Sequence, residues 1–136
     1  MDVKTGRILA CASYPTYDLS NLFEKYDEIS KQPYGPLLNR ALKGTYAPGS
    51  TFKIITTAAA LEEDIVTENS QFYCSGSLMV EGWHKPINCW KRQGHGAQNL
   101  RNVLENSCNP AIMNIGLSMG RTTFAEYVKA FGLRDK

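Results

Sequence analysis

A proline–glycine turn runs directly into a long apolar segment near the middle of the chain, and this junction restricts the fold strongly. Tyr46-Ala47-Pro48-Gly49 has the residues of a tight turn, and the segment from Ser50 to Leu61 has the composition and length of a buried helix. Ser50 is therefore predicted at the N-terminus of that helix. The 136 residues are enough to surround such a helix with a core, so we expect one domain.

Short predicted elements separated by turns make up the rest of the chain. Residues 1–12 are predicted to form a strand, a polar turn at 4–6 and a second strand. Residues 14–43 are predicted to be a long surface segment with one short helix around 21–31. The remaining predictions are short strands at 72–74, 78–80 and 87–90, and helices at 100–104, from Pro110 onward, and from a cap at Thr123 to a stop at Gly132.

Composition and charge exclude several classes of function. With 43% hydrophobic and 21% charged residues, the chain has the balance of a soluble globular protein. Its 15 basic and 13 acidic residues are scattered, so we expect no nucleic-acid partner. The apolar segment from Ile54 to Leu61 is far shorter than the roughly 20 residues of a membrane helix, and no secretory leader is recognisable. Taken alone, the chain is predicted to be soluble.

The spacing of Ser50 and Lys53 indicates a nucleophile with its base. Residues three apart on a helix lie on one face, so the hydroxyl and the amine can point into one site. Burial lowers the pKa of a lysine, and a neutral lysine can take the serine proton while helix N–H groups stabilise an oxyanion. By itself, however, Ser-x-x-Lys is more often a helix cap beside a solvated lysine.

A second polar motif, Ser107-Cys108-Asn109, follows Ser50 by 57 residues. It lies in a polar break between two predicted helices. A Ser-x-Asn tripeptide places a hydroxyl and an amide on the same side of an extended segment, where they can relay a proton and hold a substrate amide. Alone, this tripeptide is most simply another helix cap, so the functional interpretation depends on the two motifs together.

In this order and spacing, the two motifs resemble the penicillin-recognising serine enzymes, whose signature is Ser-x-x-Lys, then Ser-x-Asn, then Lys-Thr-Gly. The resemblance covers nearly the whole chain and is most specific to the class B, monofunctional penicillin-binding proteins. It rests on the following segments: Met1-Asp2-x-x-Thr5-Gly6-x-Ile8-Leu9-Ala10, Tyr14-Pro15, Asn39-Arg40-Ala41, Tyr46-x-Pro48-Gly49-Ser50-Thr51-Phe52-Lys53, Ser107-Cys108-Asn109-Pro110-Ala111 and Gly116. It implies an α/β (α+β) transpeptidase or serine β-lactamase-like fold, here its helix-rich part with an N-terminal β-hairpin.

The resemblance also implies a role for each motif residue. Ser50 would be the acylated nucleophile, Lys53 its base, Ser107 the proton relay toward the leaving amine, and Asn109 a hydrogen-bond partner of the substrate peptide. The donor would be a peptidoglycan stem peptide ending in D-Ala-D-Ala, which β-lactams imitate. The implied activity is that of a peptidoglycan D,D-transpeptidase. A β-lactamase or β-lactam sensor of the same fold and a non-catalytic binding remnant are the alternatives.

The third motif of the family does not follow Asn109 in this sequence. Lys4-Thr5-Gly6 has its letters, but it precedes Ser50 and fits the turn of the opening hairpin, so it is given no catalytic role. The resemblance therefore implies that residues 1–136 are a partial transpeptidase domain, without the N-terminal anchor region and the C-terminal strands with Lys-Thr-Gly. It predicts weak or absent catalysis by this segment alone. The parent protein would lie on the extracytoplasmic face of the bacterial cell membrane, with other cell-wall synthesis proteins as partners.

The cysteines lead to a redox prediction. Cys108 lies inside the Ser-x-Asn motif, and Cys74 and Cys89 precede it in a segment that passes near the active site in this family. Because disulfides persist outside the cytoplasm, the resemblance favours a redox-sensitive pair of Cys89 and Cys108, served by a thiol–disulfide oxidoreductase. A Cys74–Cys89 pair and unpaired thiols are the alternatives. Since the spacing of Cys74, His84, Cys89 and His95 matches no usual zinc pattern, neither a metal nor an organic cofactor is predicted.

Overall fold

The computed structural model describes residues 1–133, which fall into two compact units that divide between Ala47 and Pro48. The first unit carries little regular structure. It contains a 3-10 turn at Leu19–Asn21 and the short helices α1 (Tyr26–Ser30) and α2 (Arg40–Lys43). The α1 helix confirms the short helix predicted around 21–31, whereas α2, in the same predicted surface segment, was not expected.

The predicted N-terminal β-hairpin is wrong in one respect: its turn forms, but its strands do not. The Gly6 N–H donates to the Asp2 carbonyl and the Asp2 N–H donates to the Arg7 carbonyl, each at 2.9 Å. Residues on both sides of this turn have no strand structure, and Ile8 and Leu9 are exposed. An isolated pair of strands whose apolar side chains remain in water is marginally stable, so only the turn is retained.

Four helices lie in the second unit. They are α3 (Phe52–Glu62), α4 (Leu100–Glu105), α5 (Asn109–Met119) and α6 (Arg121–Ala130). The predicted central helix is confirmed as α3, which packs against α5 and α6. Ala59 and Ala60 are fully buried on α3, and these small side chains allow the helices to approach closely. The core includes Val103, Ile112 and Ile115.

Short strands in the second unit pair as two antiparallel ladders. β1 (Gln71–Cys74) pairs with β4 (Gly96–Asn99), and β2 (Ser77–Leu78) pairs with β3 (Ile87–Asn88). The first three strands lie where short strands were predicted. The β4 strand was not predicted, because Gly-Ala-Gln-Asn has none of the β-branched or aromatic residues that indicate a strand. Its partner places Cys74 opposite Gly96.

The α6 helix begins earlier than predicted. It starts at Arg121, and Gly120 makes the turn before it with φ 77° and ψ 165°, so the predicted cap at Thr123 is wrong. The predicted stop is confirmed, because Gly132 has φ 71° and the Leu133 N–H donates to the Val128 carbonyl at 3.1 Å. Between residues 1 and 133, no helix combines the length and apolar character needed to cross a membrane.

Candidate active site

Ser50 lies in a 3-10 turn that leads directly into α3. The turn covers Gly49–Thr51, and Gly49 has φ 57°, a left-handed conformation that glycine adopts without strain. The Thr51 hydroxyl donates to the Pro48 carbonyl at 2.6 Å and so holds the turn. Ser50 makes no capping bond to the helix backbone, so the helix-cap alternative is wrong and its hydroxyl is available for another partner.

Lys53, on the first turn of α3, makes hydrogen bonds to Ser107 and Asn109, the two outer residues of the second motif. Its Nζ donates to the Ser107 carbonyl at 2.7 Å, to the Ser107 hydroxyl at 2.8 Å and to Asn109 Oδ1 at 2.7 Å. An ammonium group has three donors, and these three acceptors satisfy all of them. The alternative of a solvated lysine is therefore wrong for Lys53.

The Ser107 hydroxyl connects the nucleophile position to the lysine. It donates to the Ser50 hydroxyl at 3.0 Å and accepts from Lys53 Nζ at 2.8 Å. The structure thus brings together Ser50, Lys53 and Ser107 in one chain of hydrogen bonds, although the two motifs are far apart in sequence. Ser50 and Lys53 communicate through Ser107, an arrangement that the three-residue spacing on a helix did not predict.

A helix-ending motif fixes Ser107 in place. Its N–H donates to the Leu104 carbonyl and the Cys108 N–H donates to the Val103 carbonyl, each at 2.9 Å, which is the Schellman pattern at the end of α4. Ser107 occupies the left-handed position of that motif with φ 49°. Glycine is the usual residue there, because a Cβ raises the energy of the left-handed conformation. Serine at this position therefore keeps a hydroxyl group where glycine would be accommodated with less strain.

Asn109 is the first residue of α5. Its Oδ1 accepts from Lys53, and its Nδ2 donates to the Asn88 carbonyl at the long distance of 3.4 Å. Pro110 follows it in the first turn of the helix, a position where a missing N–H costs nothing. The Asn109 Nδ2 carries two N–H groups, and its bond to Asn88 uses one of them, so the other can donate to a further acceptor.

The environment of Lys53 favours the neutral form of its amine. Burial lowers the pKa of Lys53 below its ordinary value, while negative charge on Cys108 and Cys89 acts in the opposite direction. Burial is the larger of these effects. The structure thus makes the neutral, proton-accepting form of Lys53 easier to reach than in a lysine exposed to water.

An apolar groove of about 820 Å³ begins beside the site. Lys53 and Asn109 line one end of it, and its walls come from α3, α5, α6 and the β3 region, including Phe52, Ile112 and Phe124. The Phe52 and Phe124 rings pack in a tilted arrangement with centroids 5.8 Å apart. The groove gives the site a concave, apolar border.

The cysteines adopt an arrangement that the linear spacing did not indicate. Cys74, Cys89 and Cys108 are buried together as free thiols, and His95 Nδ1 lies 3.5 Å from Cys89 Sγ. Burial raises the pKa of the Cys74 thiol, but the polar groups of His95, Gly76 and Cys108 around it have the opposite and larger combined effect and lower that pKa to about 6.

The predicted pair of Cys89 and Cys108 is brought together, but in a group that also contains Cys74 and His95. His84 is exposed and lies outside this group. Trp90 was not predicted to lie at the site, but its indole N–H donates to the Asn106 carbonyl at 2.7 Å just before the second motif. No local sequence signal identifies that contact, since it joins separate elements.

Known proteins resemble this chain closely. The family model of the penicillin binding protein transpeptidase domain matches residues 1–136. Stage V sporulation protein D of Bacillus subtilis is 41% identical over 137 residues, which cover 100% of this chain and 20% of that protein. Peptidoglycan D,D-transpeptidase MrdA of Escherichia coli K12 is 34% identical over 137 residues, which cover 96% of this chain and 22% of that protein.

A solved structure extends the similarity to the fold. Penicillin-binding protein A of Mycobacterium tuberculosis, as its penicillin G acyl-enzyme complex, matches with a TM-score of 0.86 at 32% identity, covering 96% of this chain and 32% of that one. The α+β fold that the resemblance implied is therefore confirmed. The chain spans about a fifth of the length of the two curated relatives.

Proposed function

This chain belongs to the penicillin-binding protein transpeptidase family, in its class B branch, and from this we propose that the protein carrying it is a peptidoglycan D,D-transpeptidase that forms a serine acyl-enzyme. The observation that carries the proposal is the hydrogen-bonded chain from Ser50 through Ser107 to Lys53. It gives a weak nucleophile a route for its proton to a lysine whose pKa is lowered by burial.

Acylation uses the neutral form of Lys53. Rotation of the two hydroxyl groups reverses the chain, so that Ser50 donates to Ser107 and Ser107 donates to Lys53. As Ser50 Oγ forms a bond to the substrate carbonyl carbon, its proton passes through Ser107 to Lys53. Collapse of the tetrahedral intermediate breaks the carbon–nitrogen bond, and Lys53 returns the proton through Ser107 to the leaving amine. N–H groups at the start of α3 favour the negative oxygen of that intermediate.

Asn109 holds the donor substrate in this proposal. Its Oδ1 is engaged by Lys53, so its Nδ2 is the group that donates to a substrate peptide carbonyl. The weak bond from Nδ2 to Asn88, at 3.4 Å, is readily exchanged for a better acceptor. One side chain thus fixes both the base and the substrate.

The proposed donor is a stem peptide ending in D-Ala-D-Ala, and an amine of a second stem peptide resolves the ester as a cross-link. β-Lactams acylate Ser50 in place of the donor, as the related protein of Mycobacterium tuberculosis is acylated by penicillin G. These substrates lie in the cell wall, so we place the protein on the extracytoplasmic face of the membrane. Other cell-wall synthesis proteins and a thiol–disulfide oxidoreductase are the proposed protein partners.

Intact-mass measurement after incubation with penicillin G tests the nucleophile. The protein as the cell makes it is compared with Ser50→Ala and with Ser118→Ala, a control serine exposed on α5 that bonds only to the Asn114 carbonyl. We expect one adduct per chain in the wild type and in Ser118→Ala, and none in Ser50→Ala. An undiminished adduct in Ser50→Ala would refute the assignment of the nucleophile.

Two further measurements separate transpeptidation from the alternatives. After free penicillin G is removed, the adduct of a transpeptidase persists, whereas that of a β-lactamase is rapidly hydrolysed. Incubation with a D-Ala-D-Ala stem peptide and an amine acceptor releases D-Ala and forms a cross-linked product only with the transpeptidase. Failure of the wild type to form any adduct would favour a binding remnant over an enzyme.

A further inference from the structure

Four potential metal ligands from separate parts of the second unit meet in one place. The Sγ atoms of Cys74, Cys89 and Cys108 and a ring nitrogen of His95 all lie within 4.8 Å of one another. Cys74 ends β1, Cys89 follows β3, His95 precedes β4, and Cys108 precedes α5. The three thiols are 1% exposed or less.

The separations fit the coordination sphere of a single ion. Tetrahedral zinc bonds of about 2.3 Å to sulfur and about 2.0 Å to nitrogen place two sulfurs about 3.8 Å apart and a sulfur and a nitrogen about 3.5 Å apart. The observed distance from His95 Nδ1 to Cys89 Sγ is 3.5 Å. Closing the other pairs from at most 4.8 Å requires their separations to shorten by no more than about 1.3 Å.

We propose that Cys74, Cys89, His95 and Cys108 bind one zinc ion in a closed tetrahedral site. Three thiolates and an imidazole are the ligands of a structural zinc site, and no position is left open for catalysis. The assignment of this site does not rest on the transpeptidase activity proposed above, because it follows from the positions of the four side chains alone. The site holds the structure around the second motif and takes no part in the chemistry.

The alternative that these cysteines are only small apolar core residues leaves the histidine unexplained. His95 Nε2 is buried and has no hydrogen-bond partner within residues 1–133, while Nδ1 faces the thiols. A bound ion accounts for the ring nitrogen that faces the thiols, because it takes the lone pair of Nδ1. Nε2 then carries the ring proton and is not a ligand.

Two glycines allow the backbone segments beside the ligands to approach each other closely. A Cβ on Gly76 would lie 2.0 Å from the Arg92 carbonyl oxygen, and a Cβ on Gly94 would lie 2.1 Å from the Cys74 carbonyl oxygen. The Cys89 N–H also donates to the Gly76 carbonyl at 2.9 Å. The loops carrying Cys74, Cys89 and His95 therefore approach one another as closely as backbone allows.

The ion would position the second catalytic motif. Cys108 lies between Ser107 and Asn109, so its coordination fixes the residues on both sides of it. Two contacts already connect the Cys89 segment to this loop: Trp90 Nε1 to the Asn106 carbonyl at 2.7 Å and Asn109 Nδ2 to the Asn88 carbonyl. The ion adds a third connection, which holds the Ser107 hydroxyl at its distance from Lys53.

The prediction of no metal rested on linear spacing, which gave a set containing His84. In the structure the fourth member of the group is Cys108, which follows α4 in the sequence, and not His84. Ligands brought together by two strand pairs and a helix end need not follow the short spacings of zinc fingers.

Elemental analysis of the protein as the cell makes it, purified without chelators, tests the proposal. We expect about one zinc per chain, reduced at least tenfold in Cys74→Ser and Cys108→Ser. Cys11→Ser is the matched control, because Cys11 is an exposed thiol in the first unit, and it should retain the metal. Equal zinc content in Cys108→Ser and Cys11→Ser would overturn the site.

Measurements on the wild type decide the question even if a variant fails to fold. Co²⁺ added to the metal-free protein should give the thiolate charge-transfer and tetrahedral d–d absorption of a three-cysteine site. Alkylation should label Cys11 alone before the metal is removed and all four cysteines afterwards. Absence of metal together with a disulfide between Cys89 and Cys108, or with four reactive thiols, would refute zinc binding.

Discussion

Lys53 and Ser107 are joined twice, because the lysine Nζ donates both to the hydroxyl of Ser107 at 2.8 Å and to its main-chain carbonyl at 2.7 Å. In the proposed mechanism the first bond is a route for a proton, and the second fixes the backbone of the second motif against α3. A single side chain thereby couples the chemistry of the site to its geometry.

Replacing Lys53 by methionine should abolish proton transfer while retaining much of the aliphatic side chain. We expect Lys53→Met to acylate with penicillin G about 10²–10⁴-fold more slowly than the wild type. Lys91→Met is the control, since Lys91 is exposed in a loop of the same unit. A rate in Lys53→Met close to that of Lys91→Met would show that Lys53 is not the base.

Ser107 should lower the free energy of unfolding relative to a glycine at the same position. It holds the left-handed position with φ 49°, where a Cβ costs about 1 kcal/mol relative to glycine. We therefore expect Ser107→Gly to unfold with a free energy roughly 0.5–1 kcal/mol higher than Ser107→Ala, although neither variant should be acylated at the wild-type rate. Urea unfolding of the two variants checks this difference, and a less stable glycine variant would contradict it.

The acylation rate should rise with pH. Only neutral Lys53 accepts the proton, and burial lowers its pKa below the 10.5 of an ordinary lysine, so the midpoint of the rise should also lie below 10.5. Between that folded-state pKa and 10.5 the unfolded chain binds more protons, so Lys53 makes the free energy of unfolding increase with pH in this window. A pH series of penicillin G acylation rates measures the midpoint. A rate that falls with pH across this range would rule out the neutral lysine as base.

Gly94 should be far less replaceable than Gly82. Both have left-handed backbones, with φ 82° and 77°, so alanine is strained at either position. Only at Gly94 does the new Cβ meet the Cys74 carbonyl oxygen, at 2.1 Å, whereas at Gly82 nothing lies within 4 Å. We expect Gly94→Ala to lower the melting temperature more than Gly82→Ala and to lose zinc. Equal melting temperatures and zinc contents would argue against this close approach.

Gly116 should tolerate alanine with a gain in stability. It lies inside α5, and its Cβ would meet the Thr56 methyl at an ordinary 3.6 Å. Alanine is about 0.5–1 kcal/mol more favourable than glycine within a helix, so Gly116→Ala should unfold at a higher urea concentration. Gly120→Ala is the control with the opposite sign, because Gly120 has φ 77° after the same helix. Destabilisation by Gly116→Ala would show that the helices pack more tightly there than the structure indicates.

Much of the local structure could be predicted from sequence. The turn before Ser50, the α3 helix, the strands near Cys74 and Cys89 and the stop at Gly132 all follow from residue type and periodicity. The family followed from two short motifs in a fixed order. The opening hairpin and the cap at Thr123 were wrong, because pairing and packing override local preference at such short elements.

The sequence by itself determined the candidate catalytic and binding residues, since Ser50, Lys53, Ser107 and Asn109 are marked by their motifs. Only the tertiary structure decided how they connect. Ser107 lies between Ser50 and Lys53 because the end of α4 turns it toward α3, and Cys108 joins Cys74, Cys89 and His95 because two strand pairs converge beside that turn. Helix and turn preferences act over a few neighbouring residues, so a short stretch of sequence is enough to predict them. These contacts, by contrast, depend on the packing of elements far apart in the chain.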